Sequence, residues 1–259
     1  MPMKALSVII PARNEEALLG ETLHAVLRSA GELLGVPGEL PDLRGSPVEV
    51  LVVDNASTDG SLAVAAGYVA GHGVRLLHCE QIKAPCARNL GARESVGRVL
   101  AFVDADTVIP EHALRRVLGH CDVAGCQAGI ARLASREPGW RARLWWSFWE
   151  HVRRLPVARA KAMPAFMFCT RAAFEEFGPF DERVAIGEEW PILAGVYRAR
   201  ANRFVYDRSL TALTSSRRME MRPWGYLRTL GKYAWAIAHP SGQNGYGDHL
   251  RHRRSLEAP

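Results

Sequence analysis

Four short apolar segments separated by helical patterns constrain the fold of this chain more than any other feature. The segments are ALSVIIP (5–11), VEVLVVD (48–54), VRLLHC (74–79) and RVLAFVD (98–104). Continuous apolar strands that alternate with helices are typical of a parallel sheet covered on both faces. The sequence therefore predicts an α/β fold with a mostly parallel central sheet and helices on both faces.

Polar clusters follow three of these strands: PARNEE after the first, DNASTDGS after the second and DADT after the fourth. Ligands of open α/β sheets bind beyond the carboxyl ends of the strands, so the clusters predict a ligand site. In DADT, Asp104 and Asp106 lie one residue apart. At about 5 Å and an effective dielectric near 20, two carboxylates repel by roughly 3 kcal/mol, which favours a bound cation, a proton or a hydrogen-bonding ligand. The alternative is a turn, where Asp is common for local reasons.

Composition narrows the class of protein further. Apolar residues make up 48% of the 259 positions, which excludes a disordered chain. No apolar run reaches the roughly 20 residues that a membrane-spanning helix needs, and no secretion signal precedes the first charges, so we expect a soluble, cytoplasmic protein. The net charge of +6 concentrates between Arg198 and Arg254. Such a segment suits a phosphate-bearing or anionic-surface partner, although a solvated basic face explains it equally well.

Five segments, taken in order, resemble the family 2 glycosyltransferases. They are SVIIPARNEE, VLVVDNASTDGS, APCARNLGA, VLAFVDADT and FEEFGPFDERVAIGEEW, and a looser similarity continues at TSSRRME. The resemblance implies a GT-A fold with a Rossmann-like sheet. It also implies inverting transfer of a sugar from a nucleoside diphosphate, UDP or GDP, to an acceptor hydroxyl. On this basis we expect one domain with a nucleotide-binding half (1–121), an acceptor and catalytic half (122–215) and a basic C-terminal extension (216–259).

The resemblance also assigns nucleotide-binding residues. It places Pro11, Arg13 and Glu15 beside the base and ribose, although acids at a helix N-terminus also stabilise the helix without any ligand. Asp54 ends a strand and can accept hydrogen bonds from a uracil-like edge. Arg88, early in a helix, can pair with phosphate oxygens.

By the same resemblance, Asp104 and Asp106 match the Asp-x-Asp pair that holds a divalent ion on the donor diphosphate. Mn²⁺ and Mg²⁺ prefer carboxylate, water and phosphate oxygens, and two carboxylates leave coordination positions open for the diphosphate. The ion neutralises charge on the leaving nucleotide. The sequence thus predicts a requirement for Mn²⁺ or Mg²⁺.

The catalytic base is expected in GEEWPIL, at Glu188 or Glu189. An inverting transferase needs a carboxylate that takes the acceptor proton. Relatives often carry Glu-Asp here, whereas this chain has Glu-Glu, and we favour Glu189. Acids that stabilise a helix N-terminus are the alternative interpretation. Arg217 or Arg218 is expected to hold the donor diphosphate or an acceptor phosphate.

The partners follow less directly. The acceptor can be a saccharide, a lipid-linked molecule or a small metabolite, and no nucleic-acid signature is present. The helical segment WRARLWWSFWEHVRRL places Trp145, Trp149 and Val152 on one stripe beside Phe148. That stripe fits an anionic membrane surface or an acceptor wall, and equally a core or homodimer contact. Two other functions remain: a sugar nucleotidyltransferase, which normally has a Gly-rich first loop that PARNEE lacks, and a non-catalytic binding module.

Overall fold

A computed structural model describes the chain over four ranges: 4–161, 164–184, 186–221 and 224–238. The predicted basic extension therefore lies partly outside the described residues, beyond position 238. The strands are β1 (Lys4–Ala12), β2 (Val48–Asp54), β3 (Arg75–His78), β4 (Gly97–Val103), β5 (Thr107–Val108), β6 (Ala128–Ser135), β7 (Phe166–Thr170) and β8 (Phe204–Thr214). The helices are α1 (Glu16–Leu34), α2 (Ser61–His72), α3 (Ala84–Glu94), α4 (Ala113–Asp122), α5 (Trp140–Arg154), α6 (Arg171–Phe177), α7 (Trp190–Ala199), α8 (Arg217–Glu220) and α9 (Gly225–Ala238).

All eight strands form one sheet in the order β3-β2-β1-β4-β7-β6-β8-β5. The first four strands along the chain are parallel to one another. β7 runs antiparallel to both β4 and β6, and β5 runs antiparallel to β8, whereas β6 and β8 are parallel. The predicted α/β class and mostly parallel sheet are confirmed. The antiparallel insertion of β7 depends on long-range pairing, which the local sequence pattern does not contain.

Helices cover both faces of the sheet because side chains along each strand alternate between the faces. In β1, Val8 and Ile10 pack with α1, whereas Ile9 between them packs against the opposite layer. The first layer contains α1, α2, α4 and α5, and the second contains α3, α6 and α7. Two apolar layers therefore enclose the sheet and fix the directions of its strand ends.

β8 is a strand that the sequence pattern did not predict. Asp207, Arg208 and Ser209 interrupt its apolar residues, and its pairing with β6 shifts register between Ala131 and Arg132. In this irregular stretch, the Asp207 carboxylate accepts hydrogen bonds from the backbone N–H groups of Ser209 and Leu210, at 3.0 and 3.2 Å. A strand with a polar interruption lacks the alternation on which strand prediction depends.

Helix α3 lies close against the sheet because Gly91 faces it. A Cβ atom at Gly91 would lie 2.5 Å from Cγ2 of Ile9 and 3.1 Å from Cγ2 of Val53, which is closer than side-chain carbons pack. The missing side chain lets the helix backbone approach β1 and β2. Arg88 lies three residues earlier on the same helix, so this approach also sets the position of that guanidinium.

Candidate active site

A crevice of about 420 Å³ opens beyond the carboxyl ends of β1, β2 and β4, where the sequence predicted a ligand site. Seven of the residues predicted for the site line it: Pro11, Arg13, Glu15, Arg88, Asp104, Asp106 and Arg218. Four predicted residues do not line it: Asp54, Glu188, Glu189 and Arg217. Of these four, Glu188 and Arg217 are joined by ion pairs to residues that do.

Arg88 connects three parts of the site. Its Nη2 donates a hydrogen bond to Asp104 at 2.7 Å, and its Nη1 donates to Glu188 at 2.9 Å. Only 11% of the side chain is exposed. Burial disfavours the charged guanidinium, but Asp104 and Glu188 outweigh that effect, so the pKa of Arg88 is raised. The next residue, Asn89, donates to the Phe180 carbonyl at 3.0 Å and ties α3 to the segment that precedes the two glutamates.

The Asp-x-Asp pair forms a turn after β4, in which the Thr107 N–H donates to the Asp104 carbonyl at 3.0 Å. A turn was the local alternative for this sequence, and a turn and a metal site are compatible. Burial, together with the negative charges of Asp104 and Glu15, raises the pKa of Asp106 to about 6. A carboxyl with a raised pKa in a cluster of acids marks excess negative charge that a cation would relieve.

This donor set fits a divalent ion that is coordinated by protein carboxylates and substrate phosphates together, and not one enclosed by protein side chains alone. Among the described residues, no three His, Cys, Asp or Glu side chains are grouped as a metal cage. Mg²⁺ and Mn²⁺ are commonly held by one or two carboxylates together with substrate phosphates. The chemistry of Asp104 and Asp106 is of that kind.

Glu15 holds two arginines at the crevice. It immediately precedes α1, its side chain is buried, and its carboxylate accepts hydrogen bonds from both Arg217 and Arg218 of α8. Its own N–H donates to Ser61 Oγ at 2.8 Å, which fixes the backbone. Residues about 200 positions apart are thus joined across the crevice. The role predicted for Glu15 was contact with base and ribose, and its carboxylate here binds the two arginines.

Glu188 and Glu189 lie in a tight turn before α7. Gly187 has φ of +83°, and a Cβ atom there would lie 2.5 Å from the Trp190 ring, so both backbone conformation and space require glycine. The Glu188 carboxylate faces Arg88, whereas the Glu189 side chain is only 5% exposed. Trp190 and Ile192 are buried, as expected for core residues of α7.

Asn55 is a crevice residue that the sequence did not single out. It follows Asp54 at the end of β2, lines the crevice and is 3% exposed, and no hydrogen bond reaches its Oδ1 from any described residue. Asp54 instead has partners in its own loop and in the neighbouring strand. The Ser57 backbone N lies 3.4 Å from its Oδ1, and Nδ1 of His78, at the end of β3, lies 3.6 Å from its Oδ2. The signal that could have found Asn55 is its position directly after a strand of the parallel sheet.

The aromatic stripe of α5 is mostly core. Trp145 and Trp149 are buried and their rings pack against Tyr226 and Tyr233 of α9, at centroid distances of 5.6 and 5.4 Å. A membrane-facing role for these two tryptophans is therefore wrong, because α9 covers them. Phe148 is exposed. Within the described ranges, no helix is both long and apolar enough to cross a membrane.

Solved structures share this fold. Glucosyl-3-phosphoglycerate synthase from Mycobacterium tuberculosis, in complex with Mn²⁺, UDP and phosphoglyceric acid, superposes with a TM-score of 0.57 at 17% identity, covering 91% of this chain and 76% of that chain. S. aureus TarS 1-349 in complex with UDP superposes with a TM-score of 0.56 at 16% identity, covering 94% of this chain and 68% of that chain. The predicted GT-A type of fold is thereby confirmed.

Sequence comparison gives the family. The succinoglycan biosynthesis protein ExoO of Rhizobium meliloti (strain 1021) is 31% identical over 169 residues, which are 58% of this chain and 47% of ExoO. Glycosyltransferase AglE of Haloferax volcanii is 27% identical over 187 residues, 70% of this chain and 58% of AglE. The chain thus spans about half the length of these relatives. The family model described as glycosyl transferase family 2 matches residues 7–183, and the chain belongs to that family.

Proposed function

We propose that this protein is an inverting, divalent-metal-dependent glycosyltransferase that moves a sugar from a nucleoside-diphosphate sugar to an acceptor hydroxyl. One observation carries the proposal: a crevice at the strand ends brings Arg88 and Arg218 together with Asp104 and Asp106. Cationic guanidinium groups beside paired carboxylates suit a diphosphate that arrives with a metal ion. Neither group alone would distinguish a sugar donor from another anion or cation.

The donor diphosphate is assigned to the arginines. Arg88 is buried and held by two carboxylates, so its planar fork is oriented before the donor binds. Glu15 pairs with both Arg217 and Arg218, and Glu15 and Arg218 line the crevice. We therefore assign to Glu15 the positioning of these two arginines.

The binding site of the donor's nucleobase is assigned to the end of β2, and we infer that the nucleoside is uridine. A buried amide can accept the N3–H of uracil at Oδ1 and donate from Nδ2 to a carbonyl oxygen, and Asn55 presents an Oδ1 with no partner among the described residues. The solved complexes of glucosyl-3-phosphoglycerate synthase and TarS contain UDP, which agrees with this choice. Asp54 supports the loop that follows β2.

Asp104 and Asp106 would hold the divalent ion, with Mn²⁺ the first choice because the glucosyl-3-phosphoglycerate synthase complex contains it. When bound, the ion neutralises charge that develops on the leaving diphosphate. Arg88 keeps the Asp104 carboxylate oriented toward the crevice. The raised pKa of Asp106 predicts that donor binding weakens below about pH 6, where this carboxyl is protonated.

Glu189 is assigned as the catalytic base. It takes the proton of the acceptor hydroxyl while that oxygen bonds to the anomeric carbon, and the bond from this carbon to the phosphate oxygen breaks with its electron pair on the nucleotide. Attack from the face opposite the leaving group inverts the anomeric configuration. Glu189 stands where relatives often carry the second acid of the Glu-Asp pair, which supports Glu189 for this step. The Glu188 carboxylate is the one that pairs with Arg88.

Two other functions predict different binding behaviour. A sugar nucleotidyltransferase would need a Gly-rich loop after β1, and the loop here is PARNEE. A non-catalytic module that binds nucleic acid predicts salt-sensitive binding without any metal requirement.

Calorimetric titration with UDP separates these possibilities. The proposal expects UDP binding that needs Mn²⁺ and is abolished by the Asp106→Ala substitution. Asp122→Ala is a matched control, because Asp122 is an exposed carboxylate at the C-terminal end of α4, where it pairs with Arg98 of β4. Metal-independent binding of UDP, or binding of RNA in its place, would contradict the proposal.

A further inference from the structure

An exposed apolar stripe runs along α5 on the side away from its buried tryptophans. Trp140, Leu144 and Phe148 follow one another at intervals of four residues, so they share one face of the helix. Trp140 is 63% exposed, and Leu144 and Phe148 are also exposed. Large apolar side chains placed singly on a surface need no explanation, but a contiguous stripe does.

Helix α9 adds a second apolar edge beside this stripe. Trp224, just before the helix, and Leu227 in its first turn are exposed. A groove of about 850 Å³ lies between α5 and α9 and is lined by side chains from both. We call the five exposed residues that flank this groove the α5–α9 face: Trp140, Leu144, Phe148, Trp224 and Leu227.

The charges around the α5–α9 face are mainly positive. Arg141 and Arg143 are exposed on α5, and Arg228 and Lys232 are exposed on α9. The Arg141 guanidinium lies over the Trp140 ring, 5.6 Å from its centroid. The sequence places Glu220 as the one acid among the described residues from Arg217 to Ala238.

The acid of α5 does not offset these cations. Glu150 is buried, and its carboxylate is engaged by Arg154, Arg208 and the Tyr206 hydroxyl. The exposed surface of the two helices thus combines tryptophan, leucine and phenylalanine with arginine and lysine that pair with no carboxylate among the described residues.

We propose that the α5–α9 face binds the surface of an anionic lipid bilayer. Tryptophan, phenylalanine and leucine on one face of a helix, with basic residues at its flanks, favour the boundary between headgroups and acyl chains. Basic side chains next to that boundary are attracted by the phosphates of anionic lipids. A second copy of this chain fits the face less well, because a symmetric dimer would bring the four cations against themselves.

The location of the face gives this interaction a consequence. Arg218 lines the crevice, and Arg217 pairs with the crevice residue Glu15. The two residues that follow, Met219 and Glu220, line the groove. The crevice would therefore open beside the bilayer surface. The bilayer interaction itself does not rest on the proposed glycosyl transfer, since it requires neither donor nor metal.

Vesicle flotation with the full chain tests the proposal. At low salt, the protein is expected to float with vesicles of phosphatidylcholine that contain about 30% phosphatidylglycerol, and to float far less with pure phosphatidylcholine. The double substitution Leu144→Gln/Leu227→Gln should lower partitioning to the anionic vesicles at least tenfold, by an order-of-magnitude estimate for two partly inserted leucines. Leu62→Gln is the matched control, because Leu62 is an exposed leucine on α2.

A double substitution of two cations tests whether the basic residues contribute to bilayer binding. Arg141→Gln/Lys232→Gln should weaken flotation and reduce its sensitivity to salt, whereas Arg93→Gln, at an exposed position on α3, should not. Circular dichroism and UDP binding with Mn²⁺ report separately whether each variant is folded and whether the crevice is intact.

Three results would overturn the proposal. The first is absence of flotation by the unsubstituted chain with anionic vesicles at low salt. The second is equal loss of flotation in the Leu62→Gln control. The third is a dimer in light scattering that Leu144→Gln/Leu227→Gln dissociates without any vesicle, which would make the α5–α9 face a contact between copies.

Discussion

The guanidinium of Arg88 lies 2.7 Å from the Asp104 carboxylate, from Nη2 to Oδ1. This hydrogen bond joins helix α3 to the turn after β4, and the other arm of the same guanidinium reaches Glu188 before α7. Three segments that carry site residues are therefore held by one side chain. Its contacts explain how the crevice keeps its shape although its lining is strongly charged.

Replacing Arg88 with lysine should weaken both the site and the fold. A single ammonium cannot replace two separate N–H arms, so Asp104 or Glu188 loses its partner. We expect Arg88→Lys to bind UDP with Mn²⁺ about tenfold more weakly and to lower stability by about 1 to 3 kcal/mol. Calorimetry and urea unfolding measure the two effects. Arg93→Lys, on the exposed side of α3, is the control, and equal behaviour of both variants would remove the role assigned to Arg88.

Replacing Asp106 with asparagine should stabilise the metal-free protein near neutral pH. Because the folded-state pKa is raised from 3.8 to about 6, the folded state binds more protons than the unfolded state between these values. Stability therefore falls as pH rises through that interval, and the ionised carboxylate costs about 1 to 2 kcal/mol above it, after allowance for partial solvation. Urea unfolding in EDTA should show Asp106→Asn to be more stable at about pH 7 and equal to the unsubstituted chain near pH 4.

Replacing Asp122 with asparagine should change the stability in the opposite direction. Its pKa is lowered, first by the hydrogen bond from Arg98, so Asp122→Asn should not stabilise the protein at neutral pH. If both aspartate variants gain stability alike, a general charge effect and not the environment of Asp106 is responsible.

The two glutamates before α7 should separate binding from turnover. Glu189→Gln keeps the shape of the side chain but cannot take a proton, so we expect a decrease in kcat of at least about 100-fold with UDP affinity nearly unchanged. Glu188→Gln should mainly weaken donor binding, because its contact with Arg88 loses charge. Sugar-transfer kinetics and calorimetry on the same samples provide the test. Normal turnover in Glu189→Gln would reassign the base to another group.

Alanine at Gly91 should disturb the fold and the site together. The new methyl group meets Ile9 and Val53, so α3 must shift away from the sheet, at a cost of about 1 to 3 kcal/mol. Arg88 moves with the helix, and UDP affinity should fall as well. Gly67→Ala in α2 is the matched control, because its added Cβ would meet no other described segment within 4 Å. It should be neutral or stabilising by up to about 1 kcal/mol. Thermal unfolding without UDP measures the effect of each substitution on the fold, and the added stability with UDP measures its effect on the site.

Asp207, in β8, should contribute to the loss of folding stability at acid pH. Burial would raise its pKa, but hydrogen bonds from His120, Ser209 and Arg116 lower it below the usual range. A carboxylate with a lowered pKa stabilises the fold above its unfolded pKa of about 4, and this contribution is lost as pH falls below that value. Asp207→Asn should therefore destabilise the protein at neutral pH by about 2 to 3 kcal/mol and flatten the decline in acid. Asp42→Asn should change the unfolding curve far less, because Asp42 pairs with Arg44 on the exposed surface.

Residues near one another in sequence were sufficient to predict part of this protein. The apolar runs of β1, β2 and β4, the helices between them and the acids at the end of β4 each depend on a few adjacent side chains. Their alternation determines an α/β sheet, because strand and helix periodicities are local properties. The Asp-x-Asp pair was found for the same reason: it directly follows a buried strand.

Tertiary structure decided what lies opposite each of these groups. The pairing of Glu15 with Arg217 and Arg218, the choice of Asn55 over Asp54 in the crevice and the cover that α9 provides for Trp145 and Trp149 all involve distant segments. The insertion of β7 and the interrupted strand β8 belong to the same class. Periodicity states which face of an element is apolar, but it contains no distance between elements. Packing of the whole chain alone fixes which distant charges and rings meet.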